Sequence, residues 1–115
     1  FCLYGPNTNI VHGGSIIYQT ECQIHYVMQC LTALIDKGVD AIDVRDQINE
    51  SYNEKVQTIS KTLAWGHPNV ASWYKNSDGR VVNNSPFSLQ EYWAVTHKVD
   101  LDDYHLIHNG ENEAA

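Results

Sequence analysis

Between residues 15 and 37 the apolar positions Ile17, Ile24, Met28, Leu31 and Ile35 recur on one helical face, and Val27 and Leu34 widen it. This spacing predicts an amphipathic helix, and Gly38 is suited to stop it as a left-handed C′ residue. At about 1.5 Å per residue the helix would be roughly 34 Å long. Glu21 interrupts the stripe where an apolar residue is expected. Residues 39–44 alternate apolar and acidic side chains, which predicts a short strand. Asp46 is a suitable N-cap for a second helix with the stripe Ile48, Tyr52, Val56, Ile59 and Leu63, closed near Trp65 by Gly66 and His67-Pro68. Residues 71–75 and 80–83 flank Asn76-Ser77-Asp78-Gly79, a β-hairpin signal in which Gly79 supplies the positive φ. Ser88-Leu89-Gln90-Glu91 is a capping box that opens a third, short helix through Tyr92, Trp93 and Val95. Beyond His97 the pattern weakens, and residues 109–115 have the composition of a frayed tail. The expected fold class is α+β, mainly helical with a β-hairpin.

The segment ahead of the first helix carries the clearest chemical signal. Tyr4-Gly5-Pro6-Asn7-Thr8-Asn9 and then His12-Gly13-Gly14-Ser15 follow a short apolar run at residues 1–4. The order suggests the end of a strand, a glycine-rich turn and a helix start. Unpaired amides of the first helical turn, at the positive end of the helix dipole, favour an electron-rich ligand atom. Glycines let such a ligand come close to the backbone. Residues 1–4 look like the last strand of a larger sheet, so the chain is expected to be the end of a longer protein.

Composition narrows the function classes. A chain of 115 residues fits one domain, and 43% hydrophobic content is ordinary for a globular chain. The net charge of −7 with scattered basic residues argues against nucleic acid or an anionic membrane as partner. There is no apolar run of the length a membrane span needs and no signal-peptide pattern, so a cytoplasmic location is expected. The three cysteines, Cys2, Cys22 and Cys30, fit reduced, small buried side chains. Cys22 and Cys30 would lie about 12 Å apart on one helix, beyond the reach of a disulfide.

Taken together and in order, Gly5-Pro6-Asn7-Thr8-Asn9, Ser72-Trp73-Tyr74-Lys75-Asn76 with Asp78-Gly79-Arg80-Val81, and Ser85-Pro86 with Tyr92-Trp93 form a recognisable set. The set resembles the C-terminal region of flavin-containing monooxygenases of the Baeyer–Villiger type. The nearest branch acts on aryl ketones such as 4-hydroxyacetophenone. The likeness covers residues 1–104, leaving 105–115 as a C-terminal tail. It implies the final segment of the FAD-binding domain in a two-domain α/β FAD/NAD(P)-binding fold. It further implies that Gly13, Gly14, Ser15 and Ile16 lie at the pyrimidine edge of FAD, where the helix start would stabilise negative charge on the reduced ring. Trp73 would approach the nicotinamide ribose of NADPH. By the same likeness the whole enzyme would insert one oxygen atom from O2 into a ketone, aromatic or soft heteroatom substrate.

The chain has no Gly-x-Gly-x-x-Gly fingerprint, and the family's active-site arginine would lie upstream of it. The isolated chain is therefore expected to bind neither FAD nor NADPH by itself and to be inactive, with the remainder of the monooxygenase as its partner. Self-association through the exposed helix stripe is also expected. Among other candidates, Glu21 suits structural pairing better than acid–base work. The pairs Cys22/His25 and His105/His108 lack the further ligands of a zinc site. His12 suits a turn histidine bonded to backbone as well as a ligand contact. Trp65 and Trp93 are expected as core aromatics, with Tyr18 and Tyr26 flanking the first stripe. No residue is assigned a catalytic or metal-binding role. The alternative from another class is a free-standing α+β homo-oligomerising interaction module. A small hydrolase-like or metal enzyme is a weaker third, because no nucleophile, base and orienter stand at interpretable spacing.

Overall fold

The computed structural model describes residues 1–10 and 14–108. Helix α1 spans Ile16–Lys37, strand β1 Ala41–Val44, helix α2 Asp46–Ser60 and helix α3 Leu89–Thr96. A single 3-10 turn, Leu101–Asp103, leads into strand β2, Tyr104–Ile107. The described residues form a mixed fold of helices and one two-stranded sheet.

The ends of α1 follow the sequence. Ser15 is its N-cap and accepts a hydrogen bond from the Tyr18 amide, and Gly38 at φ 62° closes the other end with its N–H directed to Ile35 and Leu34 carbonyls. The Ser88–Glu91 capping box of α3 is complete in both directions. Helix α2 departs from expectation at both ends. Arg45 occupies the N-cap position without a side-chain bond to the helix amides, and Asp46 is instead the first helical residue. There its carboxylate still faces the positive end of the helix dipole. The helix stops at Ser60 rather than near Trp65, because the chain folds back in tight turns (Leu63 N–H to Ser60 O at 3.0 Å, Gly66 N–H to Leu63 O at 3.0 Å).

The expected hairpin is reduced to a single antiparallel bridge between Lys75 and Val81. The reversal between them is real: Asn76 N–H donates to Arg80 O at 2.9 Å, Gly79 N–H donates to Asn76 O at 3.0 Å, and Gly79 has φ 75°. The sheet lies elsewhere. Strands β1 and β2 pair antiparallel with Ala41 opposite Ile107 and Val44 opposite Tyr104. Strand β2 therefore runs past residue 104, where the tail was expected to begin; residues 109–115 lie outside the described residues. Residues 1–4 are not a strand. Tyr4 adopts φ 54°, and its N–H donates to the Gln23 side chain at 2.7 Å instead of to a neighbouring strand.

The core is small, built from Cys22, Val56, Phe87 and Tyr92 with Ile59 packed against it. Helix α1 turns an unexpected face towards it. Gln19, Cys22, Gln23 and Cys30 are buried, whereas the apolar stripe is open, with Ile17 70% and Ile35 80% exposed. Ile24, Met28 and Leu31 are exposed as well, and so is Glu21 beside them. Trp93 is not a core residue: it is half exposed and stacks on the His97 ring with centroids 4.4 Å apart. Trp65 is half-buried. Cys2 is exposed, while Cys22 and Cys30 are buried, and all three are free thiols.

Candidate functional site

The turn before α1 is held by side-chain amides. Gln19 donates to the Thr8 carbonyl at 2.7 Å, and Gln23 accepts from Tyr4 N–H while donating to the Tyr92 hydroxyl at 2.8 Å. One turn apart on the helix, these two amides tie the loop at residues 4–8 to the first turns of α1. Buried amides are tolerated there because each finds partners. The same loop is stitched to a distant segment. Asn7 N–H donates to Val82 O at 3.1 Å, and its side chain donates to the carbonyls of Val81 and Asn84 at 3.0 and 3.2 Å. Asn9 and Asn84 form a parallel bridge, and the Asn9 amide donates to Asn84 Oδ1 at 2.9 Å. Asn84 is fully buried in this seam.

On that base stand Gly14, Ser15 and Ile16, all exposed at the start of α1. Ser15 Oγ takes one amide of the first turn, from Tyr18 at 3.3 Å. A Cβ added to Gly14 would lie 3.2 Å from Leu89 Cδ2 and 3.4 Å from Ile10 Cγ2, so this glycine permits close packing of the turn on α3. Gly13 and His12 lie outside the described residues. Trp73 is 81% exposed, its ring tilted against Tyr74 with centroids 4.7 Å apart. Among the described residues no hydrogen bond or ring contact joins it to Gly14, Ser15 or Ile16.

The exposed helix start leaves backbone amides of the first turn open to an electron-rich ligand atom. Glu21, on the outer face, is exposed and solvated. No group of three or more metal-ligating side chains occurs among the described residues. Cys22 is buried, and His25 points away to donate to the His97 carbonyl at 3.2 Å. No described helix is long and apolar enough to cross a membrane. The inward-facing Gln19 and Gln23 were missed as determinants of the turn; two amides at i, i+4 opposite the apolar stripe were the signal for them.

The class of protein that shares this stretch is the FAD-binding and Baeyer–Villiger monooxygenases, which are its homologues. The chain is 39% identical over 104 residues to the uncharacterized monooxygenase y4iD of Sinorhizobium fredii, covering 90% of this chain and 16% of that protein. It is 34% identical to the FAD-binding monooxygenase ktnD of Aspergillus niger, over 98% of this chain and 19% of that one. A Baeyer-Villiger monooxygenase of Pseudomonas aeruginosa is 32% identical over 92% of this chain and 20% of its own length. The chain thus spans about a fifth or less of the length of these relatives. No family model matches it, and no solved structure does.

Proposed function

We propose that this chain is the C-terminal part of an FAD- and NADPH-dependent monooxygenase that inserts one oxygen atom from O2 into a ketone or soft heteroatom substrate. The carrying observation is the similarity of nine tenths of the chain to one stretch of much longer FAD-binding monooxygenases. Bound FAD would supply the oxygen chemistry, with NADPH as reductant. The chain's own contribution is positional. Amides of Gly13, Gly14, Ser15 and Ile16 would donate to the flavin edge, at the head of a helix whose Gln19 and Gln23 side chains anchor the loop at Thr8 and Tyr4. Trp73 would offer its exposed ring to the nicotinamide ribose. An aryl ketone is the favoured substrate, and the cytoplasm the favoured location. The second reading, a homo-oligomerising module, is favoured by one observation: the open apolar stripe of α1.

The test is steady-state kinetics and flavin content in a longer chain that includes these residues and its upstream sequence. Trp73→Ala should raise KM or lower kcat/KM for NADPH by roughly 5- to 150-fold while FAD is retained. Gly14→Leu should lose FAD. Because that side chain meets Leu89, the same substitution is repeated with Leu89→Ala to relieve the contact. Flavin loss that persists belongs to the turn. A longer chain that holds no flavin, or normal NADPH kinetics per bound flavin in Trp73→Ala, overturns the assignment concerned.

A further inference from the structure

Away from the α1 start, a cleft of about 330 Å3 opens where all three helices meet the sheet. Its volume is at the lower end of the ~300–1,000 Å3 typical of small-molecule sites. Four tyrosines from four elements form its walls: Tyr26 of α1, Tyr52 of α2, Tyr92 of α3 and Tyr104 of β2. Their positions are set by contacts already made. The Tyr26 and Tyr104 hydroxyls are 2.6 Å apart, Tyr92 OH accepts from Gln23, and the Tyr52 ring lies against Phe87 with centroids 5.9 Å apart. The remaining lining is apolar or neutral save for one residue, Asp103. No Lys, Arg or His lines the cleft.

Asp103 is half-buried, and its carboxylate makes no hydrogen bond or ion pair with a described residue; only its backbone is used, the carbonyl accepting from Arg45 N–H at 2.9 Å. The carboxylate is nonetheless felt within the cleft. Desolvation raises the pKa of the Tyr26 and Tyr104 phenols, and the Asp103 charge raises both further. All four phenols therefore stay neutral at physiological pH, since burial raises Tyr52 and Tyr92 too. The cleft is lined by four phenol rings and one acidic residue, while Arg45, outside the lining, bonds the Asp102 carbonyl at 2.8 Å.

We infer that this cleft is a binding site for a small organic ammonium cation, held by cation–π contact with the tyrosine faces and by the Asp103 carboxylate. A weakly hydrated alkylammonium loses little on leaving water and gains from both. A neutral apolar ligand would fill the same space but cover the carboxylate without a partner. An inorganic dication would find a single carboxylate where it needs six or so oxygen ligands. An anion would be repelled by Asp103 and by the −7 net charge of the chain. The site is independent of the monooxygenase reading, since none of its residues belongs to the α1 turn or to Trp73.

Choline and its uncharged carbon isostere, 3,3-dimethylbutan-1-ol, separate charge from shape. Each is titrated into the longer chain that carries these residues with its upstream sequence, while selectively labelled tyrosine ring resonances are followed by NMR. Choline should give saturable shifts at Tyr26, Tyr52 and Tyr104 with millimolar affinity, and the isostere should bind about tenfold more weakly. Asp103→Asn should weaken choline by about tenfold without altering the isostere. Tyr52→Leu, at a partly exposed position, should weaken choline severalfold and serves if the first variant does not fold. Equal affinity for the two compounds, no saturation by choline, or indifference of choline binding to both substitutions would overturn the assignment.

Discussion

Gly66 packs so closely under the end of α2 that a Cβ placed on it would stand 2.0 Å from the Ser60 carbonyl oxygen and 2.6 Å from the carbonyl carbon. Backbone cannot withdraw as a flexible side chain can. Gly66→Ala should therefore break the fold-back after α2 and destabilise the chain by about 3 kcal/mol or more, by the cost of overpacking. Gly38→Ala is the control. Nothing lies within 4 Å of its virtual Cβ, so its only penalty is the left-handed φ of 62°, on the order of 1 kcal/mol. Urea denaturation of both variants, followed by far-ultraviolet circular dichroism, checks the ranking.

Gln57 pairs with the backbone of Val81 as a strand would. Its Nε2 donates to Val81 O at 2.7 Å and its Oε1 accepts from Val81 N–H at 3.0 Å. Val81 is buried and its carbonyl keeps the bond from the Asn7 side chain, so Gln57→Leu would strand the Val81 N–H away from water. The expected loss is about 2 kcal/mol or more. Amide hydrogen exchange at Val81 should accelerate in step; protection equal to the parent would refute the pairing's role.

Alkaline pH should unfold the chain. Tyr52 is 37% exposed, yet desolvation, with a lesser contribution from Tyr92, pushes its phenol up to about 12. A raised folded-state pKa means that the native state holds the proton more tightly than the unfolded state. This contribution to stability is complete below about pH 10 and is lost as pH rises towards 12. Tyr26, Tyr92 and Tyr104 shift in the same direction, so their losses reinforce it. Phenolate absorbance and ellipticity should change together over this interval. Tyrosine ionisation complete by pH 10 with the fold intact would contradict the burial.

The isolated chain should self-associate through α1. Ile17, Ile24, Met28, Leu31 and Ile35 are all exposed along one face, a larger apolar patch than a soluble monomer usually carries. Sedimentation at high micromolar concentration should show species above the 13.0 kDa monomer, and Ile24→Gln with Met28→Gln should restore the monomer. A sharp monomer mass in the parent chain would end the idea.

What was legible in the sequence was local. The α1 helix, its Gly38 stop, the Gly79 reversal and the Ser88 capping box each depend on residues within a turn or two of one another. Periodicity showed which α1 residues share a face but not which way that face looks; the direction is set by Gln19 and Gln23, whose partners are the loop before the helix and Tyr92. Strand β2 escaped because its four residues gain their identity from β1, some sixty positions earlier. The hairpin at 71–83 was overcalled for the complementary reason. Past the Lys75–Val81 bridge only half of the next pair forms: Val82 N–H donates to Tyr74 O at 3.1 Å, but Tyr74 N–H donates to Ser72 Oγ and Val82 O accepts from the distant Asn7 N–H. The start of α1 at Ser15 lies where it was expected, but the asparagine seam beside the preceding loop joins residues more than seventy positions apart and carries no local signal.

That seam has a mechanical consequence. Asn7 and Asn9 fasten the loop to residues 81–84, and Gln19 fastens the same loop to α1. Among the described residues, loop, seam and the first turns of α1 are cross-braced by these hydrogen bonds. A push on the segment at 81–84 would therefore be felt at Gln19 of α1 through the loop rather than through the sheet.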